Sequence, residues 1–534
     1  MVGAKAQMAS AVELKAQEIL EKEERSFGYT AIPSHRLIKK LLSSSGIPEV
    51  ELLAELNSSG IIEKRENEHS EIFYSTLKAS TLEKQVAEQF CRIIKTFHSV
   101  KKNKRLTKAD MRLGKKVNPS DEQLAAVNTV VENGVTIITG GPGTGKTTMI
   151  LGLVRALKGL DLSITLCAPT GKAAKRMGEA TGLQKFNPST VHRYLQNVGS
   201  GASKKLDVMI VDEASMLDNT LLHNLLSTIP DGARLVLIGD KDQLPPVAAG
   251  QPFKDIIETT GLNRKYASNE KRLKPEDGVS GIVTAAYDVI NGYEPDYNLN
   301  LDEHHFEFIE CPKEDIATEV LDFYFDKIPA FLKKPFQEVQ HEIQILSPQK
   351  KGNAGITQIN TEVQNRLTAK GDPISQGKGS TALYSNDRVM QTANDYNLEV
   401  MNGEIGTIEY KNENGLSVLM EGKAKIYDSD QAENLELAYA ISIHKSQGSE
   451  YSAVIIPITS EHSFMLTRSL IYTAITRGKS KVCLIGEREV FNKTIENSFK
   501  GSRYTGLSIE LNQMNISKLI KVSRLTEVYR QKKK

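Results

Sequence analysis

The chain has 534 residues and a net charge of +2, with 39% hydrophobic and 25% charged residues. These values are typical of a globular protein of about three or four domains, and they exclude nucleic-acid binding through global charge alone. No apolar run approaches the ~18 residues of a membrane span, and the first twenty residues lack the apolar core of a signal peptide. We therefore expect a cytoplasmic protein without a membrane partner.

The four cysteines are far apart in the sequence, at Cys91, Cys167, Cys311 and Cys483. Their spacing fits neither a zinc site nor an iron–sulfur cluster. We therefore expect reduced and partly buried thiols rather than metal ligands.

Residues 1–100 are predicted to form a helical, winged-helix-like domain. Apolar residues recur at helical spacing over 37–42 and 50–56, and two short strand-like runs follow at 61–65 and 71–74. The order helix, helix, hairpin suits either DNA binding or a module for packing or for docking a protein partner. Both alternatives stay open from the sequence.

Two α/β lobes are predicted in the remainder of the chain. Short apolar runs alternate with helical segments over 118–260, and again over 261–386 and 438–500, which is typical of parallel sheets. The segment 387–437, rich in short β-like pieces, Gly and Asn, interrupts the second lobe. It is predicted to be a small all-β insertion.

Basic segments border these predicted lobes. Residues 101–117 are predicted to be a solvated linker, with an arm that contacts phosphates as the alternative. Residues 501–534 end in three lysines and are predicted to be a basic C-terminal tail, either frayed or docked by one helix.

The sharpest local signal is Gly-Gly-Pro-Gly-Thr-Gly-Lys-Thr at 140–147, between a predicted strand and a predicted helix. In such a loop, glycines turn backbone N–H groups towards phosphates, and the helix N-terminus adds partial positive charge. Lys146 is placed to reach the β- and γ-phosphates, and the Thr147 hydroxyl to hold Mg²⁺. The predicted nucleotide-binding residues here are Gly141, Gly143, Thr144, Gly145, Lys146, Thr147 and Thr148.

Two carboxylates follow the predicted strand at 208–211. Asp212 is predicted to hold Mg²⁺, and Glu213 to orient and deprotonate the attacking water. A helix N-cap is the structural alternative for this pair. The adjacent glutamate favours nucleotide hydrolysis over simple nucleotide storage.

Hydrolysis also needs groups on the opposite side of the γ-phosphate. Gln243 follows a further predicted strand and is placed to sense that phosphate. Arg272 and Arg477 are candidate arginine fingers that would close a cleft between the lobes. Arg264 and Lys271 are alternatives to Arg272.

In this order the motifs resemble those of superfamily 1 helicases, specifically the RecD/TraA-type 5′→3′ branch, over roughly residues 118–490. The resemblance rests on the segments 118–123, 168–174, 189–193, 212–216, 239–246, 347–352, 443–450 and 472–478. It implies that Gln123 recognises adenine, that Gly448 and Glu450 lie near the nucleotide, and that 387–437 is an SH3-like domain.

The resemblance also implies two RecA-like lobes that use ATP and Mg²⁺ to move along single-stranded DNA and to unwind tailed duplex DNA. A groove for such a strand needs hydroxyls, amides and cations that face phosphates. The residues that the resemblance assigns to DNA binding are Pro169, Thr170, His192, Arg193, His444, Lys445, Ser446 and Gln447.

One segment departs from the family. The family's separating wedge is a hairpin between the positions of His192 and Asp212, and here the interval 194–207 can hold only a small hairpin. Translocation is therefore a safer prediction than efficient unwinding, and a translocase that needs a partner to unwind remains an alternative. The sequence carries no nuclease or relaxase motif.

Three other classes of protein are alternatives. One of them, a non-enzymatic assembly subunit that uses ATP only as a clamp, is disfavoured by Glu213, Gln243 and the two candidate arginine fingers. A P-loop GTPase should carry Asn-Lys-x-Asp after the phosphate loop, whereas Asn103-Lys104 precedes the loop and lacks the aspartate. An RNA helicase of related design stays open, because a groove that tracks the backbone need not read the sugar.

Overall fold

The computed structural model describes residues 10–97, 105–111, 119–181, 188–201, 205–260, 280–297, 305–367, 372–497, 501 and 503–526. Within these ranges, no helix is long and apolar enough to cross a membrane. The fold consists of two parallel-sheet lobes, a small antiparallel sheet inserted in the second lobe, and a helical N-terminal domain. This confirms the predicted fold class.

The N-terminal domain has the predicted order of helices followed by a hairpin. Its elements are α1 (Ala11–Phe27), β1 (Ile32–Pro33), α2 (Ser34–Ser45), α3 (Glu49–Asn57), β2 (Ile62–Glu66), β3 (Ile72–Thr76) and α4 (Leu77–Thr96). The strands form one antiparallel sheet in the order β1-β3-β2. A capping box between Ser10 and Glu13 begins α1 and supplies partners for two backbone N–H groups. Leu37, Leu52 and Tyr74 lie at the centre of the domain core.

Helix α4 joins this domain to the first lobe. Its buried face, which includes Phe90 and Ile93, belongs to the same apolar cluster as Leu222 and Leu225 of that lobe. Of the predicted basic linker, the structure describes only residues 105–111, which contain the short helix α5 (Lys108–Met111). Met111 is buried in the core of the first lobe, so this part of the linker is docked.

The first lobe alternates strands and helices in a regular way. Its elements are α6 (Asp121–Glu132), β4 (Val135–Gly140), α7 (Lys146–Lys158), β5 (Ile164–Ala168), α8 (Gly171–Thr181), β6 (Ser189–Thr190), α9 (Val191–Gly199), β7 (Val208–Val211), α10 (Asn219–Ser227), β8 (Arg234–Gly239) and α11 (Pro252–Thr259). All its strand pairs are parallel, and β4, β7 and β8 are fully buried. Burial on both faces is why these strands read as continuous apolar runs.

The interval predicted to hold the wedge begins as a helix. Helix α9 continues to Gly199, so it takes up the first part of the interval 194–207. Residues 202–204 lie outside the described part of the chain, and the described remainder contains no hairpin.

The second lobe begins with α12 (Gly281–Asn291), β9 (His305–Glu310), α13 (Ile316–Asp322), α14 (Ile328–Leu332), α15 (Phe336–Val339), β10 (Ile343–Ser347), α16 (Ile356–Leu367), β11 (Ser375–Gln376) and β12 (Ala382–Leu383). One π-helical turn, Phe323–Lys327, joins α13 to α14. Strands β11 and β12 form a separate antiparallel pair.

The inserted sheet follows at once. It consists of β13 (Arg388–Gln391), β14 (Ile405–Asn412), β15 (Gly415–Met420), β16 (Lys423–Tyr427), α17 (Ser429–Ala432) and β17 (Leu435–Leu437). The strands are antiparallel in the order β16-β15-β14-β13-β17. Val389, Val418 and Tyr427 are buried in the same apolar cluster as Ile345 of β10, so the insertion packs on the second lobe.

The second lobe then resumes with β18 (Ala440–Ser442), β19 (Tyr451–Ile458), α18 (Arg468–Ile475), β20 (Gly478–Gly486) and α19 (Arg488–Glu496). Its sheet is parallel, in the order β18-β10-β19-β20-β9. The loops that follow β18, β10 and β19 therefore emerge at one carboxyl edge of the sheet.

The segment after residue 500 departs from the predicted basic tail. It contains α20 (Leu507–Gln513) and β21 (Lys521–Leu525), and β21 pairs in parallel with β4. The first sheet is thus six-stranded, in the order β21-β4-β8-β7-β5-β6. Leu507, Ile520 and Leu525 are buried among first-lobe residues, and this burial offsets the entropy of ordering a basic segment. Residues 527–534 lie outside the described part of the chain.

Candidate functional site

The phosphate-binding loop connects β4 to α7. Gly143 and Gly145 have φ angles of 74° and 76°, in the left-handed region that favours glycine. The Lys146 ammonium donates to the carbonyl oxygens of Gly140 and Gly141, at 2.6 and 3.0 Å. The N-terminus of α7 therefore meets a turn of backbone N–H groups, an arrangement that suits phosphate oxygens.

The two predicted carboxylates follow β7. Glu213 has a φ of 52°, and its backbone N–H donates to Asp212 Oδ1 at 2.9 Å. Burial and the neighbouring Glu213 charge raise the pKa of Asp212 to about 6. Glu213 Oε2 is buried and has no hydrogen-bond partner among the described residues. The unpaired Glu213 carboxylate is suited to accept a proton from water. The two adjacent carboxylates favour a bound cation beside Asp212.

Asp240 and Gln243 lie in the loop that follows β8. The buried Asp240 accepts a 2.8 Å hydrogen bond from the Tyr472 hydroxyl and a 3.4 Å bond from Gln243 Nε2, both at Oδ2. Burial raises the pKa of Asp240. The backbone N–H of Leu244 donates to Thr473 Oγ1 at 3.0 Å. Tyr472 and Thr473 belong to α18 of the second lobe. The bonds from Tyr472 to Asp240 and from Leu244 to Thr473 therefore join the two lobes.

Arg477 is buried at the end of α18. Its guanidinium donates to the Thr473 carbonyl at 3.0 Å, to the Ser449 carbonyl at 3.3 Å and to Thr476 Oγ1 at 3.0 Å. Burial lowers its pKa, and the Glu213 carboxylate acts in the opposite sense. The second lobe thus presents a fixed cation towards the carboxylates of the first lobe.

These groups enclose one cleft of about 720 Å³. The structure brings the following predicted residues together there: Gly141, Gly143, Thr144, Gly145, Lys146, Thr147, Thr148, Asp212, Glu213, Gln243, Gly448, Glu450 and Arg477. Both lobes contribute to this set. Arg272, with its alternatives Arg264 and Lys271, lies outside the described residues.

Gln123 lies beside this cleft and has a structural task as well. Its side-chain oxygen accepts from the Ser120 N–H at 3.1 Å, which completes the capping box of α6. Its Nε2 donates to the Gly145 carbonyl at 3.5 Å, so the side chain contacts the phosphate-binding loop. Its role in adenine recognition stays a prediction.

Arg176 and Tyr287 also approach the cleft, and neither was predicted from the sequence. Arg176 of α8 donates to the Gly448 carbonyl at 3.1 Å and lies 3.8 Å from Glu450 Oε1, so it joins the lobes. The Tyr287 hydroxyl lies so close to Gly141 that any residue larger than glycine at this position would collide with it. No local motif identifies either contact, because both depend on tertiary placement.

The predicted DNA-binding residues of the first lobe follow strands β5 and β6. Pro169 and Thr170 come directly after β5, and Thr170 Oγ1 accepts from the Ala173 N–H at 3.2 Å, as an N-cap does. His192 and Arg193 are exposed on the first turn of α9. All four residues lie at the carboxyl edge of the first sheet.

The corresponding residues of the second lobe follow β18 in a short 3₁₀ turn. Ser446 donates to the Ile443 carbonyl at 2.7 Å, and Lys445 lies 3.2 Å from Glu436. Gln447 Nε2 is buried without a partner among the described residues. Burial lowers the pKa of His444. These residues lie at the carboxyl edge of the second sheet, and their contact with DNA stays a prediction.

The insertion also touches the first lobe. Lys175 of α8 lies 3.3 Å from Glu404 and forms a second ion pair with Glu421. The Arg193 guanidinium lies 6.0 Å from the centre of the Tyr396 ring. A groove of about 410 Å³ runs between these surfaces. This contact, which was not predicted from the sequence, brings the insertion beside predicted DNA-binding residues.

Three family models match the chain. An AAA domain matches residues 118–266, a UvrD-like helicase C-terminal domain matches 437–485, and an ATP-dependent RecD-like DNA helicase SH3 domain matches 359–420. They cover the first sheet except β21, the end of the second lobe, and most of the insertion with the segment before it.

Curated relatives extend over most of the chain. The ATP-dependent RecD2 DNA helicase of Deinococcus radiodurans is 34% identical over 379 residues, which are 68% of this chain and 48% of that protein. The RecD subunit of the RecBCD enzyme of Mycolicibacterium smegmatis is 31% identical over 424 residues, 72% of this chain and 74% of that protein. The chain therefore spans about half the length of the RecD2 relative and about three quarters of the RecD subunit.

Among solved structures, the Pif1 helicase from Bacteroides in complex with ADP-AlF3 and single-stranded DNA aligns with a TM-score of 0.42 at 18% identity. The alignment covers 68% of this chain and 92% of that chain.

Proposed function

The chain belongs to the RecD family of ATP-dependent DNA helicases, and from this premise we propose that it is a motor that moves 5′→3′ along single-stranded DNA and unwinds tailed duplexes. The observation that carries the proposal is the cleft itself. Lys146 and Glu213 of the first lobe meet Arg477 of the second lobe across it. A site that is completed only when two lobes meet is suited to convert nucleotide turnover into relative motion of the lobes.

In this proposal the phosphate-binding loop holds ATP in the first lobe, with Lys146 at the β- and γ-phosphates. Thr147 and Asp212 would hold Mg²⁺, which would neutralise phosphate charge when bound. Glu213 accepts the proton of the attacking water, because its Oε2 is buried and unpaired among the described residues. Arg477 stabilises the charge that develops on the γ-phosphate.

The DNA strand is proposed to cross the carboxyl edges of both sheets. Thr170 and Arg193 lie on the first edge, and Lys445 and Gln447 on the second. Hydroxyl, amide and cationic groups are the partners that phosphates prefer. Because Arg477 and Lys445 belong to the same lobe, closure of the cleft on ATP would move the second edge relative to the first.

Two parts of the proposal concern partners and location. The interval that could hold a wedge is short and begins as a helix. Unwinding is therefore the step for which the chain would most need a partner protein. The RecD relative is named as a subunit of the RecBCD enzyme, and this favours a translocase that unwinds with help as the second candidate. We propose the N-terminal domain as the surface for a protein partner, and the cytoplasm as the location.

The test is ATP-dependent strand displacement on two duplexes, one with a 5′ and one with a 3′ single-stranded tail. Displacement from the 5′-tailed duplex alone is expected, and Lys146→Ala should abolish it. Displacement from the 3′-tailed duplex alone would refute the direction. ATP turnover that DNA stimulates without displacement would select the translocase that needs a partner. Stronger stimulation by an RNA tail of the same sequence would select the RNA helicase.

A further inference from the structure

A large aromatic side chain is exposed beside the proposed DNA-binding edge. Phe464 is 79% exposed, and the adjacent Met465 is 38% exposed. Phenylalanine has no polar atom, so exposure of most of its ring to water is unfavourable unless a partner covers it. The residue lies in the loop between β19 and α18, which none of the helicase motifs named above includes.

The turn that carries Phe464 is held in place on both sides. The backbone N–H groups of Met465 and Leu466 both donate to the His462 carbonyl, at 2.8 and 3.0 Å. The side chains of His462 and Leu466 are fully buried. Phe464 is therefore displayed by an anchored turn, and a ligand that covers the ring would not need to order the loop first.

The loop lies at the carboxyl edge of the second sheet, beside a basic loop. Strand β19 is the neighbour of β10, and the loop after β10 carries the exposed Lys350 and Lys351. The two loops touch, because the Asn353 N–H donates to Glu461 Oε2 at 3.2 Å. Glu461 also forms an ion pair with Lys313 at 3.0 Å, so its charge is compensated. The loop that carries Phe464 therefore borders a loop with two exposed lysines, of which Lys350 also pairs with Glu436 at 3.3 Å.

We propose that Phe464 is a base-stacking residue of the single-stranded DNA track, with Lys350 and Lys351 facing the phosphates beside it. The proposal rests on the function proposed above and adds a contact to bases. Aromatic rings and flanking cations are the two parts of a sequence-tolerant single-strand site, because every base offers a π-face. Loss of one such ring typically weakens binding by roughly 5- to 150-fold.

The chain contains no tryptophan, which permits a direct test. Phe464→Trp introduces a single fluorophore, and stacking on a base of an oligo-dT strand should quench its emission with the same midpoint as DNA binding. Phe464→Ala should weaken oligo-dT binding by about tenfold or more. Phe464→Leu, which keeps an apolar side chain without the ring, should weaken it nearly as much.

A salt series separates stacking from charge. Phe464→Ala should leave the slope of log affinity against log salt unchanged, whereas Lys350→Ala should reduce it by about 0.7 for one phosphate on a single strand. Tyr410→Ala is the matched control, since Tyr410 is 53% exposed on the far hairpin of the insertion. It should bind oligo-dT as the unaltered chain does.

The possible results distinguish failure of the stacking proposal from failure of the motor proposal. If the unaltered chain binds oligo-dT but Phe464→Trp emission does not respond and Phe464→Ala binds normally, the stacking proposal is overturned while the motor proposal stands. If the unaltered chain binds no single strand, both proposals fall. Full retention of affinity by Phe464→Leu would also overturn stacking, because an aliphatic side chain has no ring to stack.

Discussion

The hydrogen bond from Tyr472 to Asp240 joins α18, the helix just before Arg477, to the loop that carries Gln243. Tyr472→Phe removes only the hydroxyl, at a site where Tyr472 is fully buried and the Oδ2 acceptor is 2.8 Å away. Gln243 Nε2 is then the remaining side-chain donor to this oxygen, at 3.4 Å. We expect Tyr472→Phe to slow ATP turnover because it weakens the connection between the lobes.

The size of the effect follows from the burial and charge of the acceptor. A hydrogen bond to a charged group contributes about 1.5–3 kcal/mol, and 1.36 kcal/mol corresponds to a factor of ten. A decrease in DNA-stimulated kcat of about 10- to 150-fold is therefore expected if the bond acts only in the closed cleft. Tyr472 is not among the described residues that line the proposed nucleotide cleft, so ATP affinity should change little.

The assay is steady-state ATP turnover with saturating oligo-dT, together with the affinity for a non-hydrolysable ATP analogue. Tyr74→Phe is the matched control, because Tyr74 is also fully buried but its hydroxyl lies 3.4 Å from Asn57 in the N-terminal domain. In an Asp240→Asn background, Tyr472→Phe should cost much less, as a double-mutant cycle for a direct pair requires. Equal effects of the two tyrosine variants, or additivity with Asp240→Asn, would refute the reasoning.

Two further predictions concern stability. Arg65→Ala should lower the free energy of unfolding by about 3–5 kcal/mol, since it leaves Glu83 fully buried without its 2.7 Å partner. In the same urea titration, the control Arg25→Ala, which removes an exposed ion pair, should show almost no change. Similar changes in both variants would contradict this prediction. Burial raises the pKa of Asp255 well above its usual value, so the folded state keeps a proton that the unfolded chain releases. This contribution to stability is complete below about pH 3.9 and is lost as pH rises through the folded pKa. Asp255→Asn should therefore gain stability over the unaltered chain as pH rises from 4 to 8, and a constant difference in urea unfolding would contradict the assignment.

Much of the sheet structure could be predicted because buried parallel strands are continuous apolar runs. The runs at 343–346, 439–443, 454–456 and 482–485 correspond to β10, β18, β19 and β20. The edge strands β9 and β21 were not predicted, whereas β18, which is also an edge strand, was. Strand β9 alternates polar and apolar residues in His-Phe-Glu-Phe-Ile-Glu, and β21 carries lysine, serine and arginine. Only one flank of an edge strand is paired, so its sequence pattern is weaker.

The cleft divides along similar lines. Its phosphate loop and carboxylates could be predicted because their chemistry is encoded within eight residues or fewer of continuous sequence. The contacts between lobes could not, because Arg176 and Gly448 are far apart in the chain. The same holds for the Lys175 pairs with the insertion. Local motifs therefore predict the chemistry of a residue, whereas its contacts with distant residues depend on tertiary packing.

Strand β21 has a consequence for how the protein is made. Strand β4, which leads into the phosphate-binding loop, is synthesised about 380 residues before the neighbour that covers its edge. At 5–20 residues per second, a ribosome would need roughly 20 to 75 seconds to deliver that neighbour. During this interval the edge of β4 is open to pairing with other nascent chains. The nucleotide-binding lobe, although encoded before the second lobe, is therefore completed last.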